Sequence, residues 1–138
     1  MSYPQQPPGG QPPAGPPPYY AKPPMNPGDE RTWAGAAHWT ALVAGFALGG
    51  LAFLGPLVVM LVKGNDSAYV RAHAVESLNF QLSFLIYGVV AAVSIFVLIG
   101  LLLLPIVGIL WLVFTIIGIT RANGPEFYRY PLTIRMVS

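Results

Sequence analysis

A run of polar side chains at helical spacing interrupts the apolar second half of the sequence and is the strongest candidate for chemistry. At about 100° per residue, five of these side chains share one helix face, and Asn79 lies at the edge of that face. We call this set the polar stripe: His73, Glu76, Asn79, Ser83, Tyr87 and Ser94. Polar groups avoid lipid, so such a face could bond neighbouring helices, hold a partner or line a polar path.

The stripe lacks the groups that catalysis or metal binding requires. One histidine and one glutamate, His73 and Glu76, fall short of the ligand set of a zinc site, and no third ligand is near in sequence. The apolar segments hold no nucleophile beside a base and no pair of acidic groups. We therefore expect no catalytic residue, no metal and no cofactor, and the sequence predicts that the protein is not an enzyme.

The composition predicts a small integral membrane protein. Only 9% of the 138 residues are charged and 54% are hydrophobic, whereas soluble proteins carry about 25% charged residues. A soluble domain could not cover its surface with so few charges, so the expected partner is the lipid bilayer. A net charge of +2 without a basic cluster excludes nucleic-acid binding as a main role. The absence of cysteine excludes disulfides and thiolate metal sites.

Residues 1–28 predict a disordered tail ahead of a membrane domain at 29–138. They contain 11 of the 15 prolines, and proline blocks helix interiors and sheet ladders. Because this stretch has almost nothing to bury, we expect a tail that is locally polyproline II.

The spacing of the charged residues predicts how the membrane domain folds. Forty-four uncharged residues separate Glu76 from Arg121, and as one helix they would run about 66 Å. The hydrocarbon core is only about 30 Å thick, so this stretch must fold back on itself. We expect helices at 66–100 and 105–122, with the turn at 100–105, where a glycine and a proline break helices.

The 31 uncharged residues between Arg31 and Lys63 leave two alternatives. In one, helices at 32–48 and 51–63 form a hairpin; in the other, a single tilted span is kinked at Pro56. The hairpin puts every charged cluster on one side of the membrane, which the positive-inside rule places in the cytoplasm with both termini. We thus expect an all-α bundle of about four transmembrane or partly spanning helices in the bacterial cytoplasmic membrane.

Small residues share one face on each of two expected helices. At such a face a neighbouring helix can approach closely. The helix-packing set consists of Ala37, Ala41, Gly45, Gly49, Gly108 and Gly118. We interpret it as contact between helices, either within one chain or between copies in a homo-oligomer.

Aromatic and basic side chains mix beyond the last helix, at residues 125–137. Such sequences favour the headgroup level of a bilayer. We interpret this stretch as an interfacial segment with four anchoring residues: Tyr128, Arg129, Tyr130 and Arg135.

Several motifs resemble those of a known family. Residues 70–81 read Val-Arg-Ala-His-Ala-Val-Glu-Ser-Leu-Asn-Phe-Gln, and residues 128–135 read Tyr-Arg-Tyr-Pro-Leu-Thr-Ile-Arg. With Glu-Arg-Thr-Trp at 30–33 and Gly-Pro at 55–56, they resemble a widespread bacterial membrane family of unknown function over residues 29–137. That family is similar to the twenty-kilodalton subunit of the chloroplast inner-envelope protein translocon (Tic). The resemblance implies a four-helix membrane protein with both ends on one side, and a translocon-associated role.

Two functions from different classes agree with these observations. The first is a structural or accessory subunit, acting as a homo-oligomer or within a larger membrane complex. The alternative is a pore-like or translocon-like conduit lined by the polar stripe. Because four helices leave little room for a wide path, such a conduit would require an oligomer.

Overall fold

The computed structural model describes residues 24–124 and 127–138, and within them the chain is helical without any strand. Four α-helices follow one another: α1 Pro27–Ala47, α2 Leu54–Lys63, α3 Ala68–Val93 and α4 Gly100–Arg121. A short 3₁₀ helix, Ser94–Val97, prolongs α3. The prediction of an all-α bundle is confirmed. Most of the predicted disordered tail, residues 1–23 of 1–28, lies outside the described residues.

Helix α1 begins at Pro27 rather than at residue 32, within the stretch that we assigned to the tail. The side-chain oxygen of Asn26 accepts a hydrogen bond from the backbone N–H of Asp29 at 2.8 Å and caps the helix. Pro27 follows in the first turn, where its fixed φ suits a helix start. Asp29 and Glu30 then place negative charge at the positive end of the helix dipole.

Helices α1 and α2 form an antiparallel hairpin. The two glycines at 49–50 make the turn with φ values of 60° and 105°, a conformation that glycine adopts without steric cost. Gly55 of α2 lies so close to the Thr40 backbone that a Cβ there would overlap it. At the far end of the pair, Lys63 Nζ lies 5.3 Å from the centre of the Trp33 ring. The chain thus turns back here, as in the hairpin alternative, instead of continuing as one kinked span.

The turn between α3 and α4 lies earlier than we expected. Leu98 has a φ of 63° and reverses the chain. Gly100 then begins α4 against the carbonyl of Ala91, where a Cβ would collide. Pro105, which we placed at the turn, lies inside α4. The turn is therefore corrected to residues 98–99. The left-handed Leu98 and the close backbone contact of Gly100 reverse the chain there. Pro105 does not, because a proline removes only one helical hydrogen bond.

Among the described residues, two helices are long and apolar enough to cross a membrane: α3 with its 3₁₀ extension, Ala68–Val97, and α4. Helix α2 is apolar but has only 10 residues, which cover about half of a ~30 Å hydrocarbon core. The outer faces of the two long helices are apolar, with Phe96 91% and Leu102 67% exposed. Faces of this kind favour lipid over water.

The charged residues gather at one end of the bundle, which we call the charged end. Ser67, just before α3, donates a hydrogen bond to the carboxylate of Glu30 in the first turn of α1. Tyr69 donates to the carbonyl of Ala122, just after α4, at 3.0 Å. The first turns of α1 and α3 and the last turn of α4 therefore lie side by side.

Two buried clusters hold the bundle together. The first lies near the charged end and consists of small and branched side chains: Ala36, Ala37, Val59, Val70 and Ala74. The second is aromatic and consists of Phe80, Phe84 and Tyr130. The rings of Phe80 and Tyr130 stack with their centroids 4.0 Å apart. Since Tyr130 comes from the chain beyond α4, the helices alone do not complete the core.

Candidate functional site

The chain beyond α4 lies along α3 as an irregular segment, which we call the C-terminal segment, residues 127–138. It runs outward along α3 to Leu132, where a φ of 57° turns the backbone, and then returns. Tyr87 donates to the carbonyl of Leu132 at 2.8 Å, and Arg71, near the start of α3, donates to the carbonyl of Ser138 at 3.3 Å. Without a helix or strand of its own, the segment must find partners elsewhere for its backbone groups.

Glu76 of α3 joins the outward and returning limbs of the segment. Its carboxylate accepts a hydrogen bond from the backbone N–H of Tyr130 at 2.7 Å and another from the Arg135 guanidinium at 3.1 Å. The residue is only 5% exposed. A buried carboxylate is costly unless it is paired and hydrogen bonded, so Glu76 depends on the segment as much as the segment depends on Glu76.

Asn79 and Ser83 bind the returning limb. Asn79 Oδ1 accepts from the backbone N–H groups of Met136 at 2.8 Å and Val137 at 2.7 Å. Its Nδ2 donates to the Val137 carbonyl at 2.8 Å. One turn further, Ser83 Oγ accepts from the N–H of Ile134 at 2.7 Å. A carboxamide side chain offers both an acceptor and donors, so it can bond to the N–H and the C=O of a peptide backbone at the same time, as Asn79 does with Val137.

The polar stripe is therefore brought together mainly against the C-terminal segment. His73 also reaches it, with its ring centroid 4.9 Å from that of Phe127. Ser94 does not, because it lies in the 3₁₀ helix and donates to the Val90 carbonyl at 2.8 Å. Sequence reasoning found the polar face of α3 but missed what covers it, since the segment carries no helical or strand periodicity that would predict its path.

A buried chain of hydrogen bonds links α1, α3 and the C-terminal segment. Tyr130 Oη lies 2.8 Å from His38 Nδ1, and His38 Nε2 lies 3.1 Å from His73 Nδ1. Both histidines are 0% exposed and Tyr130 is 3% exposed. Sequence reasoning did not join the two histidines, because 35 residues separate them.

Burial keeps the groups of this chain uncharged. Burial, and to a lesser extent the neighbouring His73, lowers the pKa of His38 in α1 to about 3, so this residue is neutral. Burial, with smaller contributions from Tyr128 and Glu76, raises the pKa of Tyr130. A neutral imidazole has one donor and one acceptor nitrogen, so His38 donates in one of its two hydrogen bonds and accepts in the other. His73 Nε2 is buried and has no partner among the described residues.

In the part of the chain that the structure describes, no group of three histidine, cysteine, aspartate or glutamate side chains could hold a metal ion.

Four members of the helix-packing set lie at close contacts. Two of them are fully buried alanines: Ala37 and Ala41. A Cβ at Gly45 would lie 2.9 Å from the Trp111 ring, and one at Gly118 would overlap the Tyr130 ring. The space that these glycines leave is thus filled by large aromatic side chains of other elements.

The other two glycines of the set lie away from helix contacts. Nothing lies within 4 Å of a Cβ built at Gly49 or at Gly108. Gly49 lies beyond the end of α1 and provides the positive φ of the turn. Gly108 lines an open groove between helices. Neither glycine therefore packs against another helix of the same chain, and contact between copies at Gly108 stays a prediction.

The four expected anchors lie in different environments. Tyr130 is buried in the core, because its hydroxyl has a buried histidine partner. Tyr128 is half-buried, with its ring centroid 5.1 Å from that of Tyr130. Arg135 pairs with Glu76 while 43% of its side chain stays exposed, and Arg129 is exposed. The structure thus places Tyr130 inside the bundle, whereas we expected it at an outer anchoring position.

Replacing Asn79 by Leu should release the returning limb of the C-terminal segment. The change removes three hydrogen bonds at similar side-chain size, a loss of about 2 kcal/mol, which corresponds to a roughly thirtyfold larger open population. The rate of trypsin cleavage after Arg135 in the detergent-solubilised protein measures this opening. Ser94→Ala is the matched control, because Ser94 does not contact the segment. Equal cleavage rates in the two variants would contradict the binding role of Asn79.

Replacing Tyr130 by Phe should lower the free energy of unfolding by about 2 kcal/mol, because His38 Nδ1 stays buried without its hydrogen-bond partner. Denaturant titration of the protein in detergent measures the change. Tyr128→Phe removes the same hydroxyl from the neighbouring ring, which is half-buried, and should change the stability by less than about 0.5 kcal/mol. A Tyr130→Phe variant as stable as the Tyr128→Phe variant would refute the buried hydrogen-bond chain.

Comparison with known proteins reveals one family. A family model described as the magnetosome magnetite crystal formation protein family (MamF/MmsF) matches residues 29–137. No curated protein and no solved structure matches the chain. This is the range over which the motifs indicated a bacterial membrane family; the similarity to the chloroplast translocon subunit is not shown. Since the match runs from the first turn of α1 to the end of the C-terminal segment, the chain belongs to the magnetosome magnetite crystal formation protein family.

Proposed function

We propose that the chain is a non-catalytic accessory protein of a bacterial membrane, where it contributes to magnetite crystal formation as the family name describes. The extent of the family match carries this proposal, because it takes in the helical bundle together with the C-terminal segment. We therefore assign the role to the folded membrane domain that the family model matches, residues 29–137.

The distribution of polar groups supports an accessory role. Most of the polar stripe is hydrogen bonded within the chain, to the C-terminal segment. Outside, α3 and α4 present apolar side chains such as Val89, 57% exposed, and Ile109, 62% exposed. A surface of this kind suits lipids and other membrane proteins, including further copies of the chain, and does not suit nucleic acid.

The alternative of a conduit lined by the polar stripe is not supported. Glu76, Asn79 and Ser83 are occupied by the backbone of the C-terminal segment. This segment covers the face of α3 along which a polar path would run. A translocon-like role would require the segment to leave, which would strand a buried carboxylate without its partners.

We further propose that the protein is multi-pass, that α3 and α4 both cross the membrane, and that the charged end faces the cytoplasm. The positive-inside rule supports this orientation, because Lys63, Arg71 and Arg121 all lie at or near the charged end. The α1–α2 hairpin starts and finishes at that end, so the start of α1 and the C-terminal segment would both be cytoplasmic.

Single cysteines test this topology, since the natural chain has none. Asn65→Cys and Ser138→Cys are exposed at the charged end, and a membrane-impermeant maleimide should label them only after the cells are permeabilised. Ile99→Cys, in the turn at the opposite end, serves as the comparison from the outer side. Labelling of Asn65→Cys or Ser138→Cys in intact cells would overturn the proposed orientation.

Complementation tests the proposed function. In a magnetosome-forming bacterium that lacks its own member of this family, expression of the chain should restore the size distribution of the magnetite crystals seen by electron microscopy. The Ser94→Ala variant should restore it equally, whereas Asn79→Leu should fail, because its C-terminal segment is released. If the wild-type chain reaches the magnetosome membrane without changing the crystals, the proposed function is wrong.

A further inference from the structure

An open apolar groove runs between α3, α4 and the end of α1, away from the charged end. Its cavity volume is about 390 Å³. On α3 it extends from Gln81 to Ala92, a rise of about 17 Å along the helix. On α4 it extends in the opposite direction, from Leu104 to Trp111. The groove is therefore long and narrow, and it lies parallel to the two candidate membrane spans.

Gln81 lines one end of this groove, and its carboxamide carries a buried, unpaired hydrogen-bond donor. Its Oε1 accepts from Trp111 Nε1 at 2.5 Å. An indole nitrogen only donates, so this contact fixes which end of the carboxamide is oxygen and which is nitrogen. Gln81 is 3% exposed, and its Nε2 is buried without a partner among the described residues. An unmatched buried amide costs free energy until an acceptor reaches it.

The remainder of the groove is apolar and uncharged. Two glycines leave much of its space: nothing lies within 4 Å of a Cβ built at Gly88 or at Gly108. Leu85 and Val89 line the wall between Gln81 and the far end. A fitting occupant therefore has one hydrogen-bond acceptor and a long apolar body, and it carries no charge within the groove.

The depth of Gln81 along α3 indicates what that acceptor is. Among the described residues, the ion pair of Glu76 and Arg135 is the one nearest to Gln81 along α3. Gln81 lies five residues beyond Glu76, a rise of about 8 Å away from the charged end. From Gln81 to the end of the 3₁₀ helix at Val97, the chain rises about 24 Å, which is most of a ~30 Å hydrocarbon core. Gln81 thus lies close to the polar boundary, where the ester groups of membrane lipids are found.

We propose that the groove binds one acyl chain of an ester-linked membrane lipid and that the ester carbonyl accepts a hydrogen bond from Gln81 Nε2. The chain then extends from Gln81 towards Ala92 between α3 and α4. A helix of a second copy fits less well, because it is about 10 Å wide and its backbone carbonyls are already bonded within the helix. The proposal does not depend on the role in crystal formation.

Quenching of Trp111 fluorescence by brominated lipids tests the proposal. The variant carries Trp33→Phe and Trp39→Phe, so that Trp111 is the only tryptophan, and is reconstituted in vesicles of unbrominated diether lipid. Brominated diester and brominated diether lipids with identical chains are then titrated in. The diester, which alone has the carbonyl, should bind about three- to tenfold more tightly, as expected for one hydrogen bond.

Two further variants in the same background separate the polar contact from the apolar one. Gln81→Leu should bind both lipids equally. Gly108→Leu fills the open groove and should lose most of the quenching by either lipid, whereas the control Val113→Leu, on an outward face that is 45% exposed, should leave it unchanged.

Three results would overturn the proposal. Equal binding of diester and diether by the parent variant would remove the carbonyl contact. Unchanged quenching in Gly108→Leu would remove the groove as the site. A dimer in which Trp111 is shielded from both lipids would assign the groove to a second copy of the chain.

Discussion

The hydrogen bonds from α3 side chains to the backbone of the C-terminal segment are the constraint on which the rest of the structure depends. An irregular backbone beside apolar helices persists only where protein groups satisfy its N–H and C=O groups. Glu76, Asn79 and Ser83 provide these partners. They hold Tyr130 in the core, where its ring stacks on Phe80 and its hydroxyl bonds to His38. Loss of the segment would therefore open the aromatic cluster and the buried hydrogen-bond chain together.

The molecule divides along its length into two parts with different chemistry. At the charged end, polar side chains are numerous, but most of those in the polar stripe are satisfied within the chain. Away from it, the described helices present almost only apolar groups to their surroundings, and the carboxamide of Gln81 is buried with its Nε2 unpaired. This division explains why a chain with a long polar stripe is better understood as an accessory membrane protein than as a conduit. The protein therefore contacts its surroundings mainly through the apolar outer faces of its helices.

Much of the fold could be predicted from the sequence, because it follows from a few strong physical constraints. The long uncharged stretches required helices that fold back, and the glycines at 49–50 marked one of the turns. The turn at Leu98 could not be predicted, since leucine rarely adopts a positive φ and only the close contact at Gly100 makes it necessary. The turn that we predicted near Pro105 was wrong, because a helix can continue past a proline with one hydrogen bond missing.

Only one half of the candidate site, the polar face of α3, could be predicted from the sequence. The spacing of Glu76, Asn79 and Ser83 on a helix gave the polar face, because helical periodicity is visible in a sequence. The partner of that face is irregular backbone, which leaves no periodic signal. Tyr130 lies in a stretch whose aromatic and basic residues are typical of a membrane interface. Its burial depends on two distant residues: Gly118 leaves space for its ring, and His38 bonds to its hydroxyl.

Amide hydrogen exchange of the full chain in lipid nanodiscs tests the central interaction most directly. The structure predicts that the N–H groups of Tyr130, Ile134, Met136 and Val137, which donate to side chains of α3, exchange much more slowly than those of an unstructured peptide. Exchange at the free-peptide rate at all four positions would show that the C-terminal segment is not bound, and the polar stripe would again need another partner.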